Sequence, residues 1–395
     1  MHEPRKTILC FSHLSWDRKL FQRPQQLMSR FSEKFNVLFV NIPSFRQSFT
    51  DLFRKKKLYS YNVSESLAIY SPFTLPTIQN KLSLMVKLNR VLLLFLVRKK
   101  LEKLKFDNPV LWIYHPRYVY TIGKFREKLI VYDCMDDYTS LLSIYEDGGR
   151  NEAEEKELFR MADISFAGGY SIADLKKSSG EHIHVFPSAV DISHFYKVFS
   201  ENLDVPDDVR DIPHPILGYW GAIDDRIDHE LLQKIAVKCP EWSIVLLGPL
   251  VDHRGEKASY LKQKEFKNIF WLGAKDYSLL PNYAKAFDVC LNPFVLTREG
   301  VHLSPTKTLE YLATGKPVVS TPITDVVRFY DGIVKIAAGA DEFIMTIKKT
   351  LEEDNELMMQ KRIEYTTGRT WDNTAEKMGR LISDTIISKE EGHNK

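Results

Sequence analysis

The chain has 395 residues, 44% of them hydrophobic and 27% charged, with a net charge of +3. That length suits two α/β domains of ordinary size, and so small a charge excludes a nucleic-acid partner as the leading reading. Cys10, Cys134, Cys239 and Cys290 form no C-x-x-C pair, which argues against a zinc or disulfide scaffold and leaves buried free thiols in a reducing cytoplasm as the expectation.

Residues 7–12 are an apolar run that reads as the first strand of a doubly wound fold, with no signal peptide ahead of it. The loop HLSWDRKLFQRPQ follows, then a helix to about Phe31 and a second strand over 36–40. This loop lacks G-x-G-x-x-G, which argues against a nicotinamide-dinucleotide enzyme. It carries His13, Trp16, Asp17, Arg18, Gln22 and Arg23 at the carboxyl end of a strand, where open sheets bind ligands. The alternative is a surface loop with one Trp packed beneath it.

Residues 46–57 hold Arg46, Arg54, Lys55, Lys56 and Lys57 against Asp51, interleaved with Phe45, Phe49, Leu52 and Phe53. An apolar helix over 82–97 precedes a second basic cluster of Arg98, Lys99, Lys100, Lys103 and Lys105. Basic and aromatic residues together suggest an anionic membrane surface, against the alternative of two solvated helix faces. No apolar run reaches the ~20 residues that span a bilayer. A cytoplasmic protein, peripheral at the inner face of the membrane, is the expectation.

Strands are expected over 110–114 and 129–132, leading into His115 and into Asp133, Asp136 and Asp137. Asp136 and Asp137 can bind an acceptor hydroxyl or cap the next helix. A helix over 152–161, a strand over 164–167, a helix over 171–178 and a strand beginning at 183 complete the first domain, 1–198. Residues 198–215 are polar with three Pro and read as a linker.

The second domain, 214–370, opens with a strand over 216–219 and then Gly221 and Arg226. A glycine lets backbone approach phosphate, and Arg can grip it bidentately or pair with Asp224 or Asp228. Further strands are expected over 243–247, 269–272 and 288–291, with Tyr277 free to stack on a nucleobase or to pack on the helix over 279–286. The stretch EGVHLSPTKTLEYLATGKPVVST, residues 299–321, is a loop, a short helix over 306–314 and a buried strand from 318. A helix N-terminus offers free N–H groups and its dipole to an anion; Thr306 and Lys307 stand there and Glu310 lies one turn on. A cation for phosphate and a carboxylate for sugar hydroxyls suit a nucleotide sugar; a capped surface helix is the plainer alternative. A helix over 326–330, a strand over 333–336 and a helix from 371 close the chain.

LEYLATGKPVVST resembles the donor-site motif of GT-B glycosyltransferases of the family 4 type. The W-D-x-x-x-Q-R-P-Q-like block at Trp16 resembles bacterial cell-surface-polymer glycosyltransferases of the teichuronic-acid type, and FPSAVDISHF, keeping Asp191 and Phe195, resembles the passage that precedes their linker. The resemblance implies two Rossmann-like doubly wound α/β domains facing a cleft, with the last helix, 371–388, crossing back to the first domain. It implies that Glu310 binds ribose, that Lys307 and the neighbouring backbone of Ser304 and Thr306, with Gly221 and Arg226, hold the diphosphate, and that the L-G turn at Gly273, just before Tyr277, lies by the base. It gives His115 a place near the reacting sugar and the block of Trp16, Asp17 and Arg18 an acceptor-side role, to which Asp136 is added from its place at a strand end. His302 stands where the family often carries a second Glu, so Glu299 is the candidate for the sugar.

The expectation is therefore a glycosyltransferase moving a sugar from a nucleoside-diphosphate donor to a cell-surface polysaccharide or lipid-linked precursor. It is expected to retain configuration, to need no metal or cofactor, and to use His115, Lys307 and Arg226 in catalysis. The alternatives are a GT-B-fold nucleotide-sugar epimerase, with Asp133, Asp136, Asp137 or Glu299 as acid and base, and an inactive sugar-binding scaffold.

Overall fold

The structure is a computed structural model that describes residues 5–16, 21–41, 60–75, 83–138, 148–177, 183–251, 258–296 and 304–393. The chain divides into two compact units, the first comprising residues 1–168, 172–186 and 374–395, the second residues 169–171 and 187–373.

The first unit is built on the strands β1 (Thr7–Phe11), β2 (Asn36–Val40), β3 (Ser60–Ser64), β4 (Leu67–Tyr70), β5 (Val110–Ile113), β6 (Leu129–Cys134), β7 (Ile164–Ala167) and β8 (Ile183–Val185). Their order in the sheet is β3-β4-β2-β1-β5-β6-β7-β8, and every pairing is parallel except β3 with β4. The central strands read as continuous apolar runs because both faces are covered. β1, β5 and β7 are fully buried along their length. The chain order reverses direction between β1 and β5, a switch point at whose carboxyl end Ser12, His13 and His115 emerge.

The second unit carries β9 (Ile216–Trp220), β10 (Ser243–Leu247), β11 (Ile269–Gly273), β12 (Val289–Asn292), β13 (Val318–Ser320) and β14 (Lys335–Ile336). They pair in parallel in the order β11-β10-β9-β12-β13-β14. This is the 3-2-1-4-5-6 order of a doubly wound Rossmann sheet, with its switch point between β9 and β12. Its core runs through Leu217, Tyr219, Ile244, Leu246, Cys290, Leu291, Leu309 and Leu312, all buried.

Three expectations are corrected. Residues 198–215 are not a free polar linker: Val198, Val209 and Ile212 are buried in the core of the second unit. Tyr283 Oη donates to Asp208 at 2.8 Å, and Lys285 Nζ donates to the carbonyls of Ser200 and Leu203 at 3.1 and 3.0 Å. The main segment of the second unit thus begins at Pro187. The helix expected over 82–97 runs over Ser83–Leu104, so Arg98, Lys99, Lys100 and Lys103 of the second basic cluster lie on its last turns and Lys105 just after it. The third concerns the edge hairpin of β3 and β4 and the helices Ala340–Glu353 and Glu356–Thr366, elements beyond those expected. The basic stretch 46–57 lies outside the described residues.

The four cysteines are free and buried. The C-terminal helix Trp371–His393 passes from one unit's residues to the other's, and from Thr374 onward it belongs to the first. There Met378, Ile382 and Ile386 are buried, and Lys389 pairs with Asp163 at 2.7 Å. Among the described residues no helix is long and apolar enough to cross a membrane.

Candidate functional site

The carboxyl ends of β9 and β12 and the helix Thr306–Ala313 converge in the second unit. Each carries part of the constellation because the doubly wound order sets these strand ends at the switch point. β9 ends in Trp220 and Gly221. Gly221 adopts φ +141°, where a side chain is strained, and its N–H donates to the Leu247 carbonyl at 2.9 Å. Gly248 lies behind it, so close that a Cβ there would stand 1.7 Å from the Gly221 carbonyl oxygen. In front lies Lys307: a Cβ on Gly221 would meet its Cε at 2.9 Å and its Nζ at 3.1 Å.

The Lys307 ammonium sits 5.0 Å from the Tyr219 ring centroid and 4.7 Å from that of Phe294. Burial, then the nearby Arg226 charge, lowers its pKa to about 8. Pro305 holds the N-cap position of its helix, and among the described residues no side-chain cap hydrogen bond to the first turn is made. The first-turn N–H groups, the dipole and a lysine charge therefore point to the same place, a ready anion site. Thr306 Oγ1 donates to Ser188 Oγ at 3.0 Å, and Ser188 Oγ donates to the Ser304 carbonyl at 3.3 Å, which fixes the loop at the helix start. Asn292, at the end of β12, donates from Nδ2 to Thr308 Oγ1 at 2.8 Å and ties the first turn to the sheet.

Glu310 faces the end of β9. It is 6% exposed, and its Oε2 accepts from the Trp220 indole N–H at 2.8 Å. Burial raises its pKa to about 7 against the opposing pull of the Trp220 hydrogen bond and of Lys307. Tyr311 Oη accepts from the Trp220 backbone N–H at 3.1 Å, so one helix turn clamps the strand end twice. Two titratable groups of opposite type, both moved toward neutral pH by burial, thus share one turn beside a glycine.

Several sequence-expected residues take structural partners. Arg226 holds Asp224 in a fork, Nε to Oδ1 at 3.0 Å and Nη2 to Oδ2 at 2.6 Å, the pairing alternative rather than a free grip. Its charge still reaches Lys307 electrostatically. Tyr277 stacks on His194, centroids 4.5 Å apart and 17° between planes, and its carbonyl meets His194 Nε2 at 2.9 Å. Glu299 and His302 lie outside the described residues, as do Asp17 and Arg18.

In the first unit, Trp16 is packed: its ring meets Phe39 at 5.1 Å and Phe21 at 5.8 Å, and its backbone N–H donates to Asn41 Oδ1 at 2.8 Å. His115 is buried among His13 and Tyr138, ring centroids 5.1 and 4.6 Å away. Its Nδ1 accepts from the Arg117 backbone N–H at 3.1 Å, which places the ring proton on Nε2. Burial, with His13 and Arg117 nearby, lowers its pKa to about 2, so the ring is neutral. Asp136 is half-buried, with its carbonyl accepting from the Tyr138 N–H at 3.0 Å. Asp133 is fully buried in an ion pair with Arg23, whose Nε lies 3.0 Å from both carboxylate oxygens. Asp137 receives the Lys176 ammonium at 2.9 Å, which also donates to Glu155 at 2.8 Å.

Trp220, Tyr219, Phe294 and Ser188 are the contributors that the sequence did not single out. Trp220 is the last residue of β9, and that position at a switch point is the one signal that marks it.

Residues 215–353 match the family model described as Glycosyl transferases group 1. A curated relative, TuaH of Bacillus subtilis, assigned by its name to teichuronic acid biosynthesis as a glycosyltransferase, is 25% identical over 263 residues. The match covers 62% of this chain and 64% of that protein, so the chain spans somewhat less than two thirds of the relative it matches. Among solved structures, sucrose-phosphate synthase from Thermosynechococcus elongatus superposes with a TM-score of 0.73 at 14% identity, covering 98% of this chain and 100% of that one. Anabaena HepE in complex with UDP and glucose gives 0.68 at 14% identity, covering 96% and 100%. The E. coli trehalose-6-phosphate protein bound with UDP-2-fluoro glucose gives 0.66 at 11%, covering 96% and 99%. The two parallel-sheet α/β units are those of the GT-B fold.

Proposed function

We propose that this chain, with a Glycosyl transferases group 1 domain over residues 215–353, moves a sugar from a nucleoside-diphosphate donor to a cell-surface polysaccharide or its lipid-linked precursor. The observation that carries the proposal is the convergence of Gly221, Lys307 and Glu310 at one uncapped helix N-terminus. Lys307 and the first-turn N–H groups hold the diphosphate, and Gly221 lets it approach the backbone. Glu310 accepts from ribose hydroxyls while the Trp220 indole orients its carboxylate. As the bond to the anomeric carbon breaks, charge grows on the departing diphosphate; Lys307, the helix dipole and the field of Arg226 stabilise it, a preorganised electrostatic role. Arg226 acts from its fork with Asp224 rather than by direct grip. Ser304 and Thr306 shape the loop beneath the phosphates, Glu299 takes the sugar, and Tyr277 backs the base with His194 behind it.

On the first unit, His115 serves as a hydrogen-bond donor. A neutral imidazole with its proton on Nε2 and a pKa of about 2 is a poor base, yet it donates well to a sugar hydroxyl. Trp16, Asp17, Arg18 and Asp136 belong to the acceptor side, and we place the enzyme at an anionic membrane surface facing the cytoplasm. We propose that transfer retains configuration and proceeds without a metal or cofactor. TuaH supports the cell-surface acceptor, and the UDP in the HepE and trehalose-6-phosphate structures makes UDP sugars the first donors to try. The ion pairs of Asp133 with Arg23 and of Asp137 with Lys176 disfavour the epimerase reading, because they occupy two of the four acids it would need.

The test is a thermal-shift screen of UDP, GDP, ADP and dTDP with their sugars, since a ligand that binds the folded state raises its melting temperature. One nucleotide class should raise it in wild type and fail to do so in Lys307→Met. Equal shifts in both proteins would refute the site.

A further inference from the structure

The helix Ser83–Leu104 of the first unit is apolar on two sides. On one side Leu93, Val97 and Leu101 are buried in the core. That side is fixed by polar contacts: Asn89 accepts from the Leu75 N–H at 2.7 Å and donates to its carbonyl at 3.1 Å, and the Arg90 guanidinium lies 4.4 Å over the Tyr120 ring. The other side carries Leu84, Leu88, Val91 and Phe95, which are 65%, 44%, 65% and 55% exposed. Steps of four, three and four residues put these side chains in one file along the helix, about 16 Å long. A single exposed leucine on a surface needs no cause, but a continuous file of four large apolar groups marks a contact surface.

The charges beside the file have one dominant sign. Lys87 flanks it, and Arg98, Lys99 and Lys103 continue from its end on exposed turns. Glu102 is the one acid in the helix, and it is paired with Lys99 at 2.8 Å. A second copy of the chain seated on this face would bring like charges together, which opposes an isologous contact. A surface that is apolar within and anionic at its boundary matches both features.

We propose that this helix face lies flat on an anionic lipid surface, with Leu84, Leu88, Val91 and Phe95 entering the acyl boundary and Lys87, Lys99 and Lys103 among the headgroups. The proposal rests on the reading of a membrane-surface enzyme above and names the face that makes the contact. The helix docks in the plane of the membrane: it is anchored along its whole buried side to the core, and its cations leave no apolar stretch long enough to cross.

The experiment is co-sedimentation of the full chain with phosphatidylglycerol-rich and with pure phosphatidylcholine vesicles. Wild type should bind the anionic vesicles at low salt and release at high salt. Leu88→Ser/Phe95→Ser should lower vesicle affinity at least about tenfold. Lys87→Gln should lower it about fivefold. Nucleoside-diphosphate affinity should stay at the wild-type value in every variant, because these side chains are exposed on the first unit while the donor-site residues belong to the second. Wild type that ignores anionic vesicles, variants that bind them as wild type does, or a dimer that depends on Leu88 and Phe95 would each overturn the proposal. Intact vesicle binding with no nucleotide binding would overturn the donor-site reading alone.

Discussion

Replacing Glu310 by Gln separates what this residue costs the fold from what it gives the ligand. The carboxyl is 6% exposed and its pKa rises from 4.5 to about 7. Keeping it ionised above pH 7 therefore costs the folded state about 3 kcal/mol relative to a solvated carboxylate. The sign follows from proton counting. Between pH 4.5 and 7 the folded protein holds more protons at this site than the unfolded chain, so stability falls as pH rises through that window. Below it the cost is absent. Gln is isosteric and keeps an acceptor for the Trp220 indole, but a neutral acceptor makes a weaker bond than a charged one and is still desolvated. The net gain at pH 8 is then about 1–2 kcal/mol, or roughly 2–8 °C in melting temperature for a domain of this size. The assay is thermal melting of wild type and Glu310→Gln from pH 5 to 8 without ligand, followed by nucleotide titration at pH 7.5. The variant should be more stable at pH 8, the difference should shrink toward pH 5, and nucleotide affinity should fall about tenfold or more with the loss of a charged hydrogen bond to ribose. A variant that is less stable at pH 8, or a difference that does not change with pH, would refute the reasoning.

Other outcomes follow from the same geometry. Diphosphate affinity should decline as pH rises through about 8, where Lys307 loses its proton, and in Glu310→Gln the decline should begin at lower pH because the carboxylate that favours the charged lysine is gone; titration calorimetry across pH 6.5–9.5 checks this. Gly221→Ala should fold, since two of the three atoms its Cβ meets belong to the flexible Lys307 chain and the third is the Tyr219 hydroxyl at 3.0 Å, but with a strain of about 1–3 kcal/mol at φ +141° and a displaced ammonium that costs at least about tenfold in nucleotide affinity. Asp133→Asn should lower stability by about 3–5 kcal/mol by stranding the buried Arg23 guanidinium, measured by urea denaturation.

The central strands were plain in the sequence for a physical reason: a parallel strand buried on both faces reads as a near-continuous apolar run, and β2, β7, β10 and β13 are such runs with a single small polar residue each. The helix Thr306–Ala313 was equally plain, with Leu309 and Leu312 inward and Gly315 ending it at φ +72°. The hairpin of β3 and β4 was not, because residues 61–64 are exposed and the short alternation of Tyr61 and Val63 with polar residues marks no buried face. The helix Glu356–Thr366 hides for another reason. Its buried residues are Arg362 and Thr366, and the Arg362 charge is answered by Asp354 at 2.7 and 2.8 Å, so no apolar file announces it. Lys307 and Glu310 stood out through one-turn spacing. Their neighbours Trp220, Tyr219 and Gly248 arrive from strands 60 or more residues away, and no local pattern records that the switch point brings them there. Conversely, Arg226 and Tyr277 looked available to a ligand, while Asp224 and His194 meet them in the fold.

The most direct measurement of the central claim is the rate at which nucleoside diphosphate is released from a panel of nucleoside-diphosphate sugars by wild type and by Lys307→Met. Slow release from one donor by wild type, accelerated by a saccharide or lipid-linked acceptor and reduced about a hundredfold or more in the variant, is the expected result. Equal rates in the two proteins, or conversion of the donor sugar without any nucleotide release, would contradict it.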